Sequence, residues 1–554
     1  MSTTTETTSV EKAARQNVRS QVELPDHRIV QLDELSAADR VLAEQFGYQP
    51  VFKREFGYLS TFSFAFSISG LFATISTTFS YPLVAGGSAS VIWCWLISGI
   101  GCMCIAASVA ELVSAYPTSG GLYFTVSRLA PPRWVPSISW MTGWINLLGQ
   151  VAGIASSEYG SAQMLLAAVS MGRDFNWTPT TGMTVGVMAA LTVLCGILNS
   201  LPTGWMEKMT RSYVIFHLAV LVTCCIALLA KTDKSLRHDA SYVFTNVEPT
   251  SGWSPSGFSF LFGFLSVSWT MTDYDATAHI AEEIQDPEIK APWAIFLAMA
   301  AVYVLGWLFN IVLCFVMGDP NSLINSPMEQ PVAQIFYNSL GKSGGLVYTV
   351  CAFILLQFIC FTATQSLART VFAFSRDRLL PLSNVWCKVS KLTGTPLYAV
   401  WFSVFWCIAI NLIALGNYAA ILGVFNITAI ALDWSYIIPV VCKLFFGRFE
   451  PGPWHMGKFS VLVNWWAVIW TTFVSIIFFF PTAEPVTGEN MNYAIVFMAF
   501  IMLCALVYWY VRGKKFYVGP IKETVVQGHS TGGGILEATP TESIEKKDGE
   551  KTAI

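Results

Sequence analysis

The sequence predicts an all-α polytopic membrane protein of about twelve transmembrane helices. Three observations predict it. Of the 554 residues, 54% are hydrophobic and only 12% are charged, against about 25% charged in an ordinary soluble domain. The charge is gathered at the two ends and in short loops. The stretches between are long enough to cross a hydrocarbon core, which takes about 20 apolar residues. A soluble core of this size cannot hide so much apolar surface, whereas a bilayer can.

Residues 1–44, rich in Ser, Thr and Glu, read as a disordered tail without the apolar core of a cleavable signal peptide. The membrane domain occupies 45–520. Its spans fall near 59–84, 89–113, 137–168, 182–200, 211–230, 257–279, 293–317, 333–366, 397–415, 419–441, 462–481 and 492–511. Residues 521–554, rich in Gly, Thr, Lys and Glu, read as a second disordered tail. Both tails suit trafficking or turnover control, or plain solvation.

Twelve spans put both termini on one side. With the odd-to-even loops outside, only Arg173, Lys231, Lys234, Arg237 and Lys342 of the 32 basic residues lie outside. That asymmetry puts both termini in the cytosol. Asn176-Trp-Thr178 is a glycosylation sequon in a loop that the same assignment puts outside. Of the 13 cysteines, all but Cys387 lie in apolar segments and read as small hydrophobic residues. There is no disulfide framework, no metal-ligand spacing and no basic stripe for nucleic acid.

Two spans are poor helices. The first contains Ser67-Ile-Ser69-Gly70-Leu71-Phe72 near its middle, and the sixth contains Ser266-Val-Ser268-Trp269-Thr270-Met-Thr272-Asp273-Tyr274-Asp275. A membrane helix gives up backbone hydrogen bonds only where protein or a water-lined cavity replaces them. The breaks lie five spans apart, as in a five-helix unit repeated with inverted topology. Half-helix amide ends at such breaks hold a carboxylate without a cationic side chain, and open carbonyls hold an ammonium or a cation. The bland reading of Ser-Ile-Ser-Gly is a close-packing face between helices.

Several motifs resemble one family. Gly47-Tyr48-Gln-Pro-Val-Phe-Lys53-Arg54 before the first span is similar to the entry motif of the fungal amino acid/choline branch of the amino acid–polyamine–organocation superfamily, which includes GABA permeases. Ala110-Glu111-Leu-Val-Ser-Ala-Tyr-Pro117-Thr-Ser-Gly120-Gly121, Asp275-Ala-Thr-Ala-His279-Ile-Ala-Glu282-Glu283 and Phe372-Ala-Phe-Ser-Arg376-Asp377-Arg378 resemble superfamily motifs in the right order. Gly452-Pro-Trp-His-Met-Gly457-Lys458 and Met491-Asn492-Tyr493 resemble this branch in particular. The resemblance covers about Phe46 to Pro520. It implies two inverted five-helix repeats, about 59–230 and 257–441, followed by two further helices at 462–511. It also implies secondary active uptake of amino acids, GABA, polyamines or choline-like amines, usually driven by protons.

Against that background the breaks supply the candidate substrate site: Ser69, Gly70, Leu71, Trp269, Thr270, Asp273 and Tyr274. An aromatic face such as Trp269 or Tyr274 attracts an alkylammonium by cation–π interaction. Glu158, inside the third span, is a candidate to bind an amine or carry a proton, since a charge there is costly and needs a reason. Asp275 is either a proton carrier or a cap on the second half-helix. His217 lies in the fifth span, where superfamily members place a proton acceptor, and histidine titrates near neutral pH; a satisfied interior histidine is the plain alternative. Thr362 and Ser366 line the same region or bond back to their own helix. Glu111, Glu282, Glu283, Arg376 and Asp377 at the cytoplasmic ends read as an inner gate latched by charge pairing, or as solvated loop charges.

The function expected is proton-coupled uptake of a small zwitterion such as GABA, with no cofactor beyond the proton. A choline or polyamine transporter of the same fold is the runner-up, followed by a nutrient sensor. A membrane enzyme is disfavoured: the six histidines are scattered and no H-E-x-x-H occurs. The plasma membrane is favoured over the vacuole, and oligomeric state is not encoded in any pattern found.

Overall fold

The computed structural model describes residues 21–23, 29–31 and 34–521, apart from 327 and 489. The span count survives in a revised form. Among the described residues, ten helices are long and apolar enough to cross a membrane. Two more spans escape that measure for reasons written in their sequences. The third has 38 residues, Val135–Gly172, about 57 Å at 1.5 Å per residue, yet carries Asn146, Gln150, Ser156, Ser157 and Glu158. Buried polar groups need partners, and in the protein interior Asn146 donates to Asp275, Gln150 to Asn146, and Glu158 Oε2 accepts from Gln357. The sixth is not one helix but three pieces, Ser256–Leu261, Phe264–Thr270 and Ala276–His279.

In chain order, α1 consists of two halves, Tyr58–Ser69 and Leu71–Thr78. Helix α2 is Ser80–Ala115, turning at Gly86 and Gly87, so its first residues continue the first span. Then come α3 (Val135–Gly172), α4 (Thr181–Asn199), α5 (Thr203–Lys231) and the three pieces of α6. The second half continues with α7 (Pro287–Val316), α8 (Pro331–Arg376), α9 (Leu397–Asn411) and α10 (Tyr418–Phe446). Helices α11 (Ser460–Phe478) and α12 (Ala494–Tyr508) close the chain. Helix α8 kinks at Gly341 (φ 71°) and runs ten residues beyond the expected edge at 366, which brings Arg369 into the protein interior.

Helix α1 packs beside α6, α2 against α7 and α3 against α8. Each pair is five spans apart, which is the contact pattern of two five-helix units related by an inverted two-fold. Helix α11 packs on α2 and α10, and α12 on α10 and α3, outside that core. Large apolar side chains such as Ile215, Val222, Ile226, Phe500 and Leu503 face outward, as a lipid-facing surface requires.

The described structure begins before residue 45. A hairpin pairs Gln21–Glu23 with Ile29–Gln31. Ser36 then caps the helix Ala37–Val41, accepting from the Asp39 amide at 3.1 Å. A π turn follows at Leu42–Phe46, with Leu42, Ala43 and Phe46 buried. Residues 1–20 and 522–554 of the two expected tails lie outside the described residues. The two terminal segments meet at one end of the bundle. There Tyr48 donates its hydroxyl to Asp377 Oδ2 at 3.0 Å, and the Ile521 amide donates to Asp377 Oδ1 at 3.0 Å.

Candidate functional site

The break in α1 is a single residue. Gly70 sits at φ 47°, ψ 41°, the left-handed region that costs an L-residue about 1–2 kcal/mol. The helix restarts at once, with the Ala73 and Thr74 amides donating to the Gly70 carbonyl at 2.9 and 3.0 Å. The orphaned amide of Phe72 donates to His217 Nε2 at 3.1 Å. His217 therefore caps the second half of α1. Its Nε2 lone pair is occupied by that bond, which places the ring hydrogen on Nδ1. The break in α6 is wider, covering Met271 to Asp275, with Asp273 at φ 59°.

Two cavities meet at this level. The larger, about 250 Å³, is lined by Thr78, Tyr81, Tyr159, Ser266 and Phe425, with exposed Glu329 also on its wall. The smaller, about 30 Å³, is lined by Ile68, Thr74, Ser157, Thr272 and Asp273. Trp269 lines both and stands between them. The larger volume is below the about 300–1,000 Å³ of drug-sized sites, so it suits a small solute. Asp273 and Glu329 contribute carboxyls, and the described lining residues include no lysine, arginine or histidine. Asp273 Oδ1 and Thr272 Oγ1 are buried without a hydrogen-bond partner. Each such atom costs about 1–3 kcal/mol when left unsatisfied. A ligand donor placed between them would remove that cost.

The remaining expected site residues divide. Trp269 and Asp273 face the cavities, whereas Ser69, Gly70 and Leu71 shape the break without lining either one. Thr270 bonds back to the Ser266 carbonyl at 2.8 Å, and Thr362 to the Phe358 carbonyl at 2.9 Å. Tyr274 is fully buried against Tyr436, with ring centroids 5.0 Å apart. Ser366 is buried with its hydroxyl unpartnered. Glu158 is fully buried at mid-helix, where Gln357 Nε2 donates to its Oε2 at 3.3 Å; it lines neither cavity, although Ser157 and Tyr159 beside it do. Asp275 does not cap the following helix through its side chain. It accepts instead from Asn146 Nδ2 at 2.8 Å and from the Tyr436 hydroxyl at 2.6 Å.

At the terminal end, charge pairing is extensive and buried. Arg376 meets Glu282 at 3.1 Å and lies over the Tyr48 ring, 3.6 Å from its centroid. Arg369 meets Glu283 at 2.5 Å with both side chains wholly buried. Glu282 also accepts from the Ser119 amide at 3.1 Å, tying the loop after α2 to the end of α6. Burial, and next the Asp377 carboxylate, push the Tyr48 hydroxyl well above its ordinary range, so it stays a donor. Glu111 belongs to a different cluster. It pairs with Lys443 at 2.5 Å and accepts from Ser460 at 2.8 Å, fastening α2 to α10 and α11.

The sequence reading missed Arg369, Asn146, Gln150, His279, Tyr436 and Asp433. An acid in the tenth span and an arginine beyond a misjudged span edge were signals available; the uncharged polar residues of α3 gave none without a fold. Asp433 is buried beside Tyr274 and Cys102.

Inverted five-helix units, paired breaks in α1 and α6 and a small solute cavity at their level define a secondary transporter fold. Residues 56–501 match the family model described as amino acid permease. An uncharacterized amino-acid permease of Schizosaccharomyces pombe is 59% identical over 480 residues, covering 86% of this chain and 88% of that one. Amino-acid permease 2 of Neurospora crassa is 50% identical over 485 residues, covering 88% and 89%. Amino-acid permease BAT1 of Arabidopsis thaliana is 32% identical, covering 87% and 96%. The chain belongs to the amino acid permease family of the amino acid–polyamine–organocation superfamily.

Proposed function

We propose that this permease takes up a small amino acid such as GABA together with a proton, with both termini in the cytosol of a plasma-membrane protein. The observation that carries the substrate reading is the unpartnered Asp273 carboxyl oxygen at the α6 break, beside Trp269 and with no cationic side chain on the cavity walls. Asp273 and the Trp269 face suit an ammonium group, while helix-end amides at the breaks suit a carboxylate. Proton coupling rests on the resemblance and on carboxyls buried at mid-membrane. The buried pairs of Glu282 and Glu283 act as the inner latch in this reading.

The aromatic residues Tyr81, Tyr159, Trp269 and Phe425 on the larger cavity favour choline or a polyamine as the second reading, since aromatic faces attract alkylammonium and quaternary ammonium groups and neither ligand carries a carboxylate for the helix-end amides. Uptake by cells expressing the chain, at acid and neutral pH, of labelled GABA, common amino acids, putrescine and choline decides between them. Acid-dependent GABA uptake abolished by a protonophore supports the first. Choline uptake that GABA does not compete with replaces it by the second. No uptake of any of these by correctly localised protein refutes both.

A further inference from the structure

The polar network around Asp275 is more specific than a buried carboxyl needs to be. His279 Nδ1 lies 3.0 Å from the Ser119 carbonyl. A carbonyl only accepts, so Nδ1 carries a hydrogen. His279 Nε2 lies 3.2 Å from Asp275 Oδ2, and both side chains are buried. If the pair held no further proton, two lone pairs would face each other across that gap. One proton resolves it, either as imidazolium donating to carboxylate or as carboxylic acid donating to imidazole; the net charge is zero both ways.

The surroundings supply a second solution. Asn146 Nδ2 donates to Asp275 Oδ2 at 2.8 Å, which turns Asn146 Oδ1 toward Gln150 Nε2 at 2.7 Å. That orients the Gln150 amide so that its other hydrogen points at His279 Nε2, 3.0 Å away, while its carbonyl accepts from Thr370 at 3.1 Å. When the proton leaves, Gln150 satisfies Nε2, and Asn146 and Tyr436 hold the bare carboxylate. When the proton is bound, Nε2 is committed to Asp275 and the Gln150 hydrogen gives up that acceptor, so the network has a distinct hydrogen-bond arrangement for each state.

We propose that Asp275 and His279 together form the proton-binding site that couples transport. This rests on the proton-coupled reading above and names its carrier. In the loaded state one proton sits between Oδ2 and Nε2; release leaves Asp275 negative and His279 neutral, and the proton passes to water on the side then open. The pair joins the α6 break to the terminal-end latch. Ser119, whose carbonyl accepts from His279, gives its amide to Glu282, which pairs with Arg376. The other titratable groups facing the pair are Asp273 two residues earlier, and Tyr436 and Tyr274 with Asp433 beside it; Glu282 is linked to it through Ser119. Among the described residues no lysine or arginine forms an ion pair with Asp275.

Two measurements on the full chain in lipid vesicles test it. Infrared difference spectra between acid and alkaline buffer are expected to show a protonation band that both Asp275→Asn and His279→Gln remove; each side chain can donate to the remaining partner and so preserve the packing. Should neither variant fold, the wild type labelled with ¹³C-aspartate or ring-labelled histidine must show the same band shifted by either label. A wild type without such a band, or one that both variants or both labels leave unmoved, overturns the site. In the same vesicles, pH-gradient-driven accumulation of the amino acid identified by the uptake panel is expected to fall relative to its exchange by about 5–150-fold in the variants. A ratio kept by both variants and lost in Glu158→Gln overturns the coupling role. Failure of the panel itself removes proton-coupled uptake as the function, and the spectra still decide whether the pair binds a proton.

Discussion

Replacing Gly70 with alanine puts the break in α1 to a quantitative test. Two costs add. The backbone stays at φ 47°, where an L-residue loses about 1–2 kcal/mol. The new Cβ would also lie 2.1 Å from Ile359 Cδ1 and 2.4 Å from its Cγ1. Overpacking costs about 1–3 kcal/mol, at the low end here because the clashing atoms are the mobile tip of a side chain. The expected loss is therefore about 2–4 kcal/mol, read by denaturant titration in mixed micelles. Ile359→Ala separates the two terms. Alone it costs about 2–5 kcal/mol by leaving a cavity. In the Gly70→Ala background the added methyl occupies part of that space, so the double variant should be more stable than the sum of the singles by about 1–2 kcal/mol. The backbone share stays unrecovered. A Gly70→Ala protein as stable as the parent would refute both the left-handed break and its seat against Ile359, and singles that add without coupling would refute the seat.

Arg369→Met strands Glu283 in the interior and should cost about 3–5 kcal/mol, most of it regained in the double variant with Glu283→Gln, as the same titration would show. Trp269→Ala joins the two cavities; because space already lies on both sides of the indole, it should cost less than the about 3–5 kcal/mol of a packed tryptophan while lowering substrate affinity in concentration-dependent uptake. Tyr517→Phe removes the 2.8 Å bond from Tyr517 to the Tyr123 hydroxyl and should cost about 0.5–1.5 kcal/mol. The raised Tyr48 hydroxyl gives a signed pH effect. The folded protein keeps this proton longer than the unfolded chain, so the contribution is whole below the unfolded value of about 10 and is lost as pH rises beyond it. Tyr48→Phe should flatten the fall in thermal stability at alkaline pH, and an unchanged fall counts against the assignment.

The fold was largely readable because membrane spans are local signals: an apolar run of the right length needs no distant partner to be recognised. The breaks were readable for the opposite reason, as polar patches in runs that should have been apolar. What chain order hid was direction. Glu158 sits in the expected stretch, but a helix turns 100° per residue, so Ser157 and Tyr159 reach the cavities while it does not. Glu111 shares a sequence motif with the latch region, yet its partner Lys443 comes from α10, 332 residues away. Asn146 and Gln150 carry no charge and look like packing residues until α6 is placed beside them. Helix α3 reads as weakly apolar for the same reason that it matters, since its polar side chains are spent on the interior.

Asp377 takes a hydrogen bond from each terminal segment, Tyr48 before the first span and Ile521 after the last. One carboxyl thereby serves as the knot in which the segment before the first span and the segment after the last are tied beside Arg376. A truncation or fusion junction placed before Ile521 unties half of it, so even a tag chosen for convenience becomes a mechanical change at the mouth of the bundle; a junction beyond that residue leaves the knot whole.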